Sequence, residues 1–240
     1  MKYTLRNYQK QASDAAVRLF TGKADKNGLV ILPTGAGKSL VIADIASRLE
    51  GPLLVFQPSK EILQQNFAKL QSYGIFDCGC YSASVGCKDI NRITFATIGS
   101  VMNHMSDFDC FKNIIIDECH YVNSKAGQYK EFIEAKNRQV VGLTATPYRL
   151  DRAEGGSILK FLTRVRPRIF SKVIYCCQIG ELLSKGYLAD LHYYDLTELD
   201  LRRVRSNSTG ADYDERSLLA EYERCGFYDK LSNTVVKVLQ

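Results

Sequence analysis

The sequence predicts an α/β fold, a mainly parallel, doubly wound sheet with helices on both faces, and three observations carry the prediction. Short apolar runs recur at Val30-Ile-Leu32, Leu53-Leu-Val-Phe56, Ile93-Thr-Phe-Ala-Thr-Ile98, Asn113-Ile-Ile-Ile-Asp117 and Gln139-Val-Val-Gly-Leu143. They alternate with stretches of helical period, as parallel strands alternate with crossover helices. The first run breaks at a glycine-bearing loop, and the fourth ends in two carboxylates, Asp117 and Glu118. In an open parallel sheet such strand ends form the carboxyl edge, where ligands sit.

Residues 3–20 place Tyr8, Ala12, Ala15, Ala16 and Leu19 on one face at helical spacing, so a helix precedes the first strand. Arg6 and Gln9 stand near its start. The planar amide of Gln9 can offer a donor and an acceptor together to an adenine edge, but taken alone it reads as a surface glutamine in preference. Next comes the loop Pro33-Thr34-Gly35-Ala36-Gly37-Lys38-Ser39. Gly35 and Gly37 let the backbone curl round an anion, and the helix opened by Lys38 and Ser39 aims free N–H groups and a positive dipole end at it. In such a phosphate cradle Lys38 reaches the β/γ-phosphates and the Ser39 hydroxyl ligates Mg2+. One departure from G-x-x-x-x-G-K-[ST] is visible, because Leu32 replaces the first glycine.

The helix runs on to Leu49, and Gly51-Pro52 ends it. After the second strand a helix is expected over 59–73, with Ser59 as N-cap and Glu61 in the first turn. Its turn carries Pro58, Ser59 and Lys60. The third run leads to Thr97 and Ser100, hydroxyls suited to phosphate oxygens but read from the strand end as simple caps in preference. At the end of the fourth, Asp117 can hold Mg2+ through water, and Glu118 can polarise the water that attacks a γ-phosphate. The fifth delivers Thr144-Ala-Thr-Pro-Tyr-Arg149.

Beyond it, 151–157 reads as a polar loop and Val173-Ile-Tyr-Cys176 as a further strand. The basic cluster Arg164, Arg166, Arg168 and Lys172 reads as a solvated face in preference to a nucleic-acid contact. A short helix over 179–185 is stopped by Gly186. Residues 197–214 are polar, like a linker. Residues 215–240 are helical in pattern, with Leu218, Leu219, Tyr222, Leu231, Val235 and Val238 available for an apolar side.

With 45% hydrophobic and 24% charged residues in 240, the composition is that of a soluble globular chain. No apolar run approaches membrane-spanning length and the N-terminus is polar, so we expect no membrane partner and a cytoplasmic location. A net charge of +6 permits nucleic-acid binding without identifying it. The eight cysteines contain no C-x-x-C pair, which argues against zinc and for reduced, partly buried thiols over a disulfide framework. Cys78, Cys80 and Cys87 form the one cluster close enough for metal.

Four motifs thus stand in one order: the loop ending at Ser39, Pro58-Ser-Lys60, Asp117-Glu-Cys-His120 and Thr144-Ala-Thr146. The set resembles superfamily 2 helicases and translocases of the DEAD/DEAH-like kind. Leu5-Arg-Asn-Tyr-Gln9, PTGAGKS, DECH and Leu143-Thr-Ala-Thr-Pro-Tyr-Arg149 are similar to the branch holding RadD-type and type III restriction-like helicases, with Gly186-Tyr-Leu188 a weaker cue. The resemblance covers about residues 3–190 and implies a RecA-like domain over 1–195, with 196–240 a linker and helical segment leading to a second such domain. It further implies that Arg6 and Gln9 read adenine, that Pro33, Thr34, Gly35, Ala36, Gly37, Lys38 and Ser39 hold ATP, and that Ser39 and Asp117 hold Mg2+. Glu118 would be the hydrolytic base. His120, Thr144 and Thr146 would couple nucleotide state to movement, and Pro58, Ser59, Lys60, Thr97 and Ser100 would grip a nucleic-acid backbone. Cys119 replaces the usual alanine and, being small, leaves the chemistry intact.

The resemblance implies an ATP hydrolase acting on nucleic acid, on DNA in preference to RNA. Arginine fingers from a second domain contribute roughly 10³–10⁵ in rate at comparable sites, and no second phosphate-grip segment follows in this sequence, so weak turnover is expected of the chain alone. The motor part of a restriction enzyme, a P-loop kinase or ATPase acting on a small molecule, and a nucleotide-gated binding module remain as alternatives.

Overall fold

Helix α1 (Asn7–Thr21) leads into β1 (Gly28–Ile31), α2 (Lys38–Arg48), β2 (Leu53–Phe56) and α3 (Lys60–Ser72) in a computed structural model that describes residues 4–22, 27–124, 126–136, 138–153, 156–190, 199–207 and 212–239. There follow β3 (Cys78–Ser82), β4 (Cys87–Lys88), β5 (Ile93–Ala96), α4 (Ile98–Met102), β6 (Asn113–Asp117), α5 (Gln128–Glu134) and β7 (Gln139–Thr144). After them stand β8 (Tyr148–Ala153), β9 (Gly156–Phe161), β10 (Lys172–Cys176), α6 (Ile179–Ser184), α7 (Glu215–Arg224) and α8 (Phe227–Leu239).

By its internal contacts the chain divides into two units, Met1–Tyr148 with Phe161–Ala189, and Arg149–Lys160 with Asp190–Gln240. The first contains an eight-stranded sheet in the order β10-β1-β7-β6-β2-β5-β3-β4, parallel throughout except for β4. Its strands alternate sides as the two-residue period requires. Val30, Leu53, Val55 and Ile115 pack under Val41, Ile42, Leu63, Leu70 and Leu182, from α2, α3 and α6. Leu29, Leu54, Phe56, Ile114 and Ile116 pack under Val101, Phe108, Phe132 and Ile133 on the other face. The doubly wound α/β expectation holds.

Several local readings change. The sheet has eight strands where five runs and one further strand are expected; β3 is Cys-Gly-Cys-Tyr-Ser, a segment without the β-branched residues that mark a strand, yet it pairs with β5 over Cys78 to Tyr81. Cys80 and Cys87 are joined in a disulfide, which corrects the expectation of reduced thiols and removes both from any metal cluster with Cys78. The physical reason is the β3–β4 hairpin, which pairs Cys87 with Ser82, two residues from Cys80 on the same face. The polar stretch 151–157 belongs to the two-stranded ribbon β8–β9, apart from residues 154 and 155, which lie outside the described residues.

In the second unit, Asp214 caps α7 by accepting from the N–H of Ser217 at 2.9 Å. Gly226, at φ 63°, separates α7 from α8, so the helical stretch 215–240 is two helices. The linker-like stretch 197–214 contains a 3₁₀ turn, Leu201–Arg203, and a bridge between Ser206 and Tyr213; residues 197–198 and 208–211 lie outside the described residues. Among the described residues no helix is long and apolar enough to cross a membrane.

Candidate nucleotide-binding site

The loop after β1 is tied to the neighbouring strand, for Leu32 donates its N–H to the carbonyl of Thr144 at 3.1 Å. Leu32, where the loop pattern expects glycine, is fully buried and forms part of the core. Gly35 and Gly37 adopt φ of 80° and 79°, the left-handed conformation that glycine reaches without strain. Gly37 precedes Lys38, the first residue of α2, and its carbonyl takes the N–H groups of Leu40 and Val41, so within the helix those of Lys38 and Ser39 have no partner. A side chain at Gly37 would collide with Gln9, its Cβ falling 2.6 Å from Gln9 Nε2.

Helix α1 supports this loop from behind. Gln9 Nε2 donates to the Ala36 carbonyl at 2.9 Å, Gln9 Oε1 accepts from the N–H of Arg6 at 2.9 Å, and Tyr8 Oη donates to the same Ala36 carbonyl at 3.0 Å. Gln9 is therefore buried and engaged, not a free surface amide. Arg6 stacks on Tyr187, its guanidinium carbon 4.1 Å from the ring centre, which brings the Gly186-Tyr-Leu188 segment beside the loop.

Opposite the loop, β6 ends in Asp117, and Glu118 follows it. Lys38 Nζ pairs with Glu118 Oε1 at 2.8 Å. Asp117 is buried; loss of water, helped by the neighbouring Glu118 charge and opposed by Lys38, pushes its carboxyl up to about 6. Glu118 has φ 48°, the one left-handed conformation outside glycine among the described residues, and this turn aims its side chain back toward Lys38. His120 Nδ1 lies 2.9 Å from Thr144 Oγ1, 3.2 Å from Thr146 Oγ1 and 3.4 Å from Glu118 Oε2. Burial lowers the imidazole pKa, favouring the neutral ring. The structure thus brings together Lys38, Asp117, Glu118, His120, Thr144 and Thr146.

The remaining candidates lie along the same carboxyl edge. Ser59 caps α3, its hydroxyl accepting from the N–H of Ile62 at 3.4 Å, while Lys60 is exposed after Pro58. Thr97 and Ser100 follow β5, the neighbour of β2 in the sheet. Their hydroxyls lie 3.0 Å apart; Thr97 donates to Ser82 at 3.1 Å and Ser100 accepts from the N–H of Ala83 at 2.8 Å. Sequence reasoning missed Ser82, Gln57 and Asn66, and only Asn66 left a signal there, as a polar residue on the apolar stripe of Leu63 and Leu70.

A phosphate fits this loop: two left-handed glycines, a helix start and a lysine converge there. A divalent cation fits beside it, since Asp117 is a buried carboxylate flanked by a second, and Ser39 follows Lys38 on the first turn of α2.

Residues 2–149 match the family described as type III restriction enzyme, res subunit. The chain belongs to that family. The chain is 28% identical over 207 residues to a DNA 3'-5' translocase XPB2 of Sulfurisphaera tokodaii, covering 84% of this chain and 43% of the relative. It is 28% identical over 244 residues to a putative DNA 3'-5' helicase Rad25 of Haloarcula marismortui, covering 92% and 36%. The chain therefore spans less than half the length of these curated relatives. Among solved structures, the UvsW helicase from bacteriophage T4 superposes with a TM-score of 0.52 at 21% identity, over 71% of this chain and 59% of that one. A nuclease-deletion mutant of the type ISP restriction-modification enzyme LlaGI, in complex with a DNA substrate mimic, gives 0.56 at 17%, over 77% and 21%. The fold is that of an N-terminal RecA-like domain of superfamily 2 helicases.

Proposed function

We propose that this chain is the ATP-binding half of an ATP-dependent helicase or translocase acting on DNA. The observation that carries the reading is the Lys38–Glu118 pair at 2.8 Å, which joins a phosphate-binding loop to the carboxylate end of β6. Lys38 and the N–H groups of the loop from Pro33 to Ser39 would hold the triphosphate, with Arg6 and Gln9 at the adenine end. Ser39 and Asp117 would hold Mg2+, which when bound neutralises phosphate charge. Glu118 would orient and polarise the attacking water, and His120, Thr144 and Thr146 would report nucleotide state.

Pro58, Ser59, Lys60, Thr97 and Ser100 would contact the nucleic-acid backbone; their position on one edge of β2 and β5 supports this grouping. The names of the two relatives support DNA as the track. Residues 1–195 would form the first RecA-like domain, and 196–240 would lead to a second, whose arginines complete the site; the 240-residue chain alone would then bind ATP and turn it over slowly.

The test is ATP hydrolysis by the full-length protein with and without single-stranded and double-stranded DNA or RNA, beside Glu118→Gln. Stimulation by DNA, lost in the variant, is the expected result. Turnover indifferent to every nucleic acid overturns the reading. The family match supports a related reading, the motor of a restriction enzyme, which ATP-dependent cleavage of DNA by the full-length protein would distinguish.

A further inference from the structure

Helix α3 turns one polar side chain toward the sheet. Leu63 and Leu70 are buried, and Asn66 lies between them on the same stripe, three residues after one and four before the other. An amide there costs free energy unless it is bonded. Asn66 Nδ2 donates to Asp117 Oδ2 at 3.2 Å and to Gln57 Oε1 at 3.1 Å. Gln57 follows β2 directly, is 1% exposed and is held by its own N–H on the Ala96 carbonyl at 2.9 Å. Among the described residues its Nε2 has no hydrogen-bond partner. The second oxygen of Asp117, Oδ1, accepts the N–H of Glu118 at 3.0 Å. The carboxylate is thus held at both oxygens, one by its own strand end and one by α3.

We propose that Asn66, backed by Gln57, is a positioning residue for Asp117, setting the carboxylate that would hold Mg2+ and making that setting answer to helix α3. The inference rests on the nucleotide reading above. A neutral amide orients a carboxylate without cancelling its charge, so Asp117 keeps its attraction for a cation; a lysine in the same place would compete with the metal. Helix α3 begins immediately after Pro58 and Ser59, at Lys60. A strand gripped there pulls on the element that carries Asn66, and a bond of 3.2 Å has little slack before it is lost. Nucleic-acid binding thereby gains a direct mechanical route to the metal position.

The experiment uses full-length protein and reads equilibrium binding of a fluorescent ADP as Mg2+ is raised, for wild type, Asn66→Leu, Asn66→Ala and Gln57→Leu. Thermal melts in chelator confirm that each variant is folded. Outer partners of metal ligands are worth roughly 10–100-fold in affinity, so the Mg2+ midpoint should rise about tenfold in both Asn66 variants and less in Gln57→Leu. Nucleotide affinity in chelator should match wild type. Single-stranded DNA should move the wild-type midpoint and leave Asn66→Leu where it was. A Mg2+-dependent wild type with unmoved midpoints in the Asn66 variants overturns the inference alone. Wild-type binding that ignores Mg2+ overturns it together with the nucleotide reading. An absent DNA effect, or an equal one in wild type and Asn66→Leu, overturns the link to α3.

Discussion

Lys38 Nζ stands 2.8 Å from Glu118 Oε1, so the cation that opens α2 is paired with the carboxylate that follows β6. On the proposed reading, a triphosphate entering the loop would have to take Lys38 away from Glu118. That exchange would free Glu118 for water as the substrate arrives, and it would set a cost on binding.

Glu118→Gln should therefore have opposite effects on two measurements. Hydrolysis by the full-length protein should fall by roughly 10²–10⁴, the usual contribution of a positioned general base. Equilibrium ATP binding should tighten by a few-fold, because Lys38 is no longer paired. Weaker binding in this variant would show that the pair is not what the nucleotide displaces. Lys38→Ala should lose binding itself.

The His120, Thr144 and Thr146 cluster links the end of β6 to the end of β7 through hydrogen bonds of 2.9 and 3.2 Å. Thr144→Val keeps the shape and removes the hydroxyl shared by His120 and the Thr146 N–H, which reaches it at 3.0 Å. Stimulation of ATP turnover by nucleic acid should drop roughly tenfold, within the range of ordinary coupling energies. Nucleotide affinity should change far less. Stimulation that stays at the wild-type level would remove these hydroxyls from the coupling route.

Gly142 lies in β7 beneath Cys119, and a Cβ there would come within 2.6 Å of Cys119 Sγ and 2.7 Å of the Phe170 ring. Gly142→Ala should destabilise the protein by about 1–3 kcal/mol through overpacking. Adding Cys119→Ala should recover part of that loss, since one of the two obstacles is removed. Thermal or urea unfolding of the single and double variants checks both statements; additive losses would mean that Phe170 alone is the obstacle.

Asp14 accepts from Arg48 at 2.6 Å, and that bond holds its carboxyl below the ordinary value of 3.8. A carboxylate whose folded pKa is depressed stabilises the fold above its unfolded pKa and loses that contribution as pH falls through the folded one. Asp14→Asn should consequently lower the melting temperature near neutral pH and make no difference in acid well below 3.8. The loss should be small, a few tenths to about 1 kcal/mol, because the pair is partly exposed. A difference that persists unchanged in acid would assign the effect to packing instead.

The strands easiest to read in the sequence are those buried on both faces. β2 and β6 are runs of Leu, Val, Phe and Ile, and their apolarity fixes period, length and place. β3 escapes the same reasoning because cysteine, glycine and serine carry no strand preference, and only its position against β5 buries it. The ribbon β8–β9 escapes for the opposite reason: Asp151 and Arg152 look like loop composition, and no local pattern announces the partner strand they pair with. In the site, Lys38, Asp117 and Glu118 are legible because their chemistry fixes their spacing from glycines and strand ends. The Asn66–Asp117 bond is illegible, joining residues 51 positions apart through a helix rotation that no local pattern states.

The ribbon enters and leaves the first unit at one place. Leu162 donates its N–H to the Pro147 carbonyl at 2.9 Å, and the Tyr148 and Phe161 rings meet edge to face at 5.3 Å. Whatever is threaded between these two anchors begins and finishes at the same address, so lengthening it adds only the slowly growing entropy of a longer closed loop. The position is a socket: a tag or reporter domain spliced into it would leave the parallel strands in register, and homologous chains should vary in length there before they vary anywhere in the sheet.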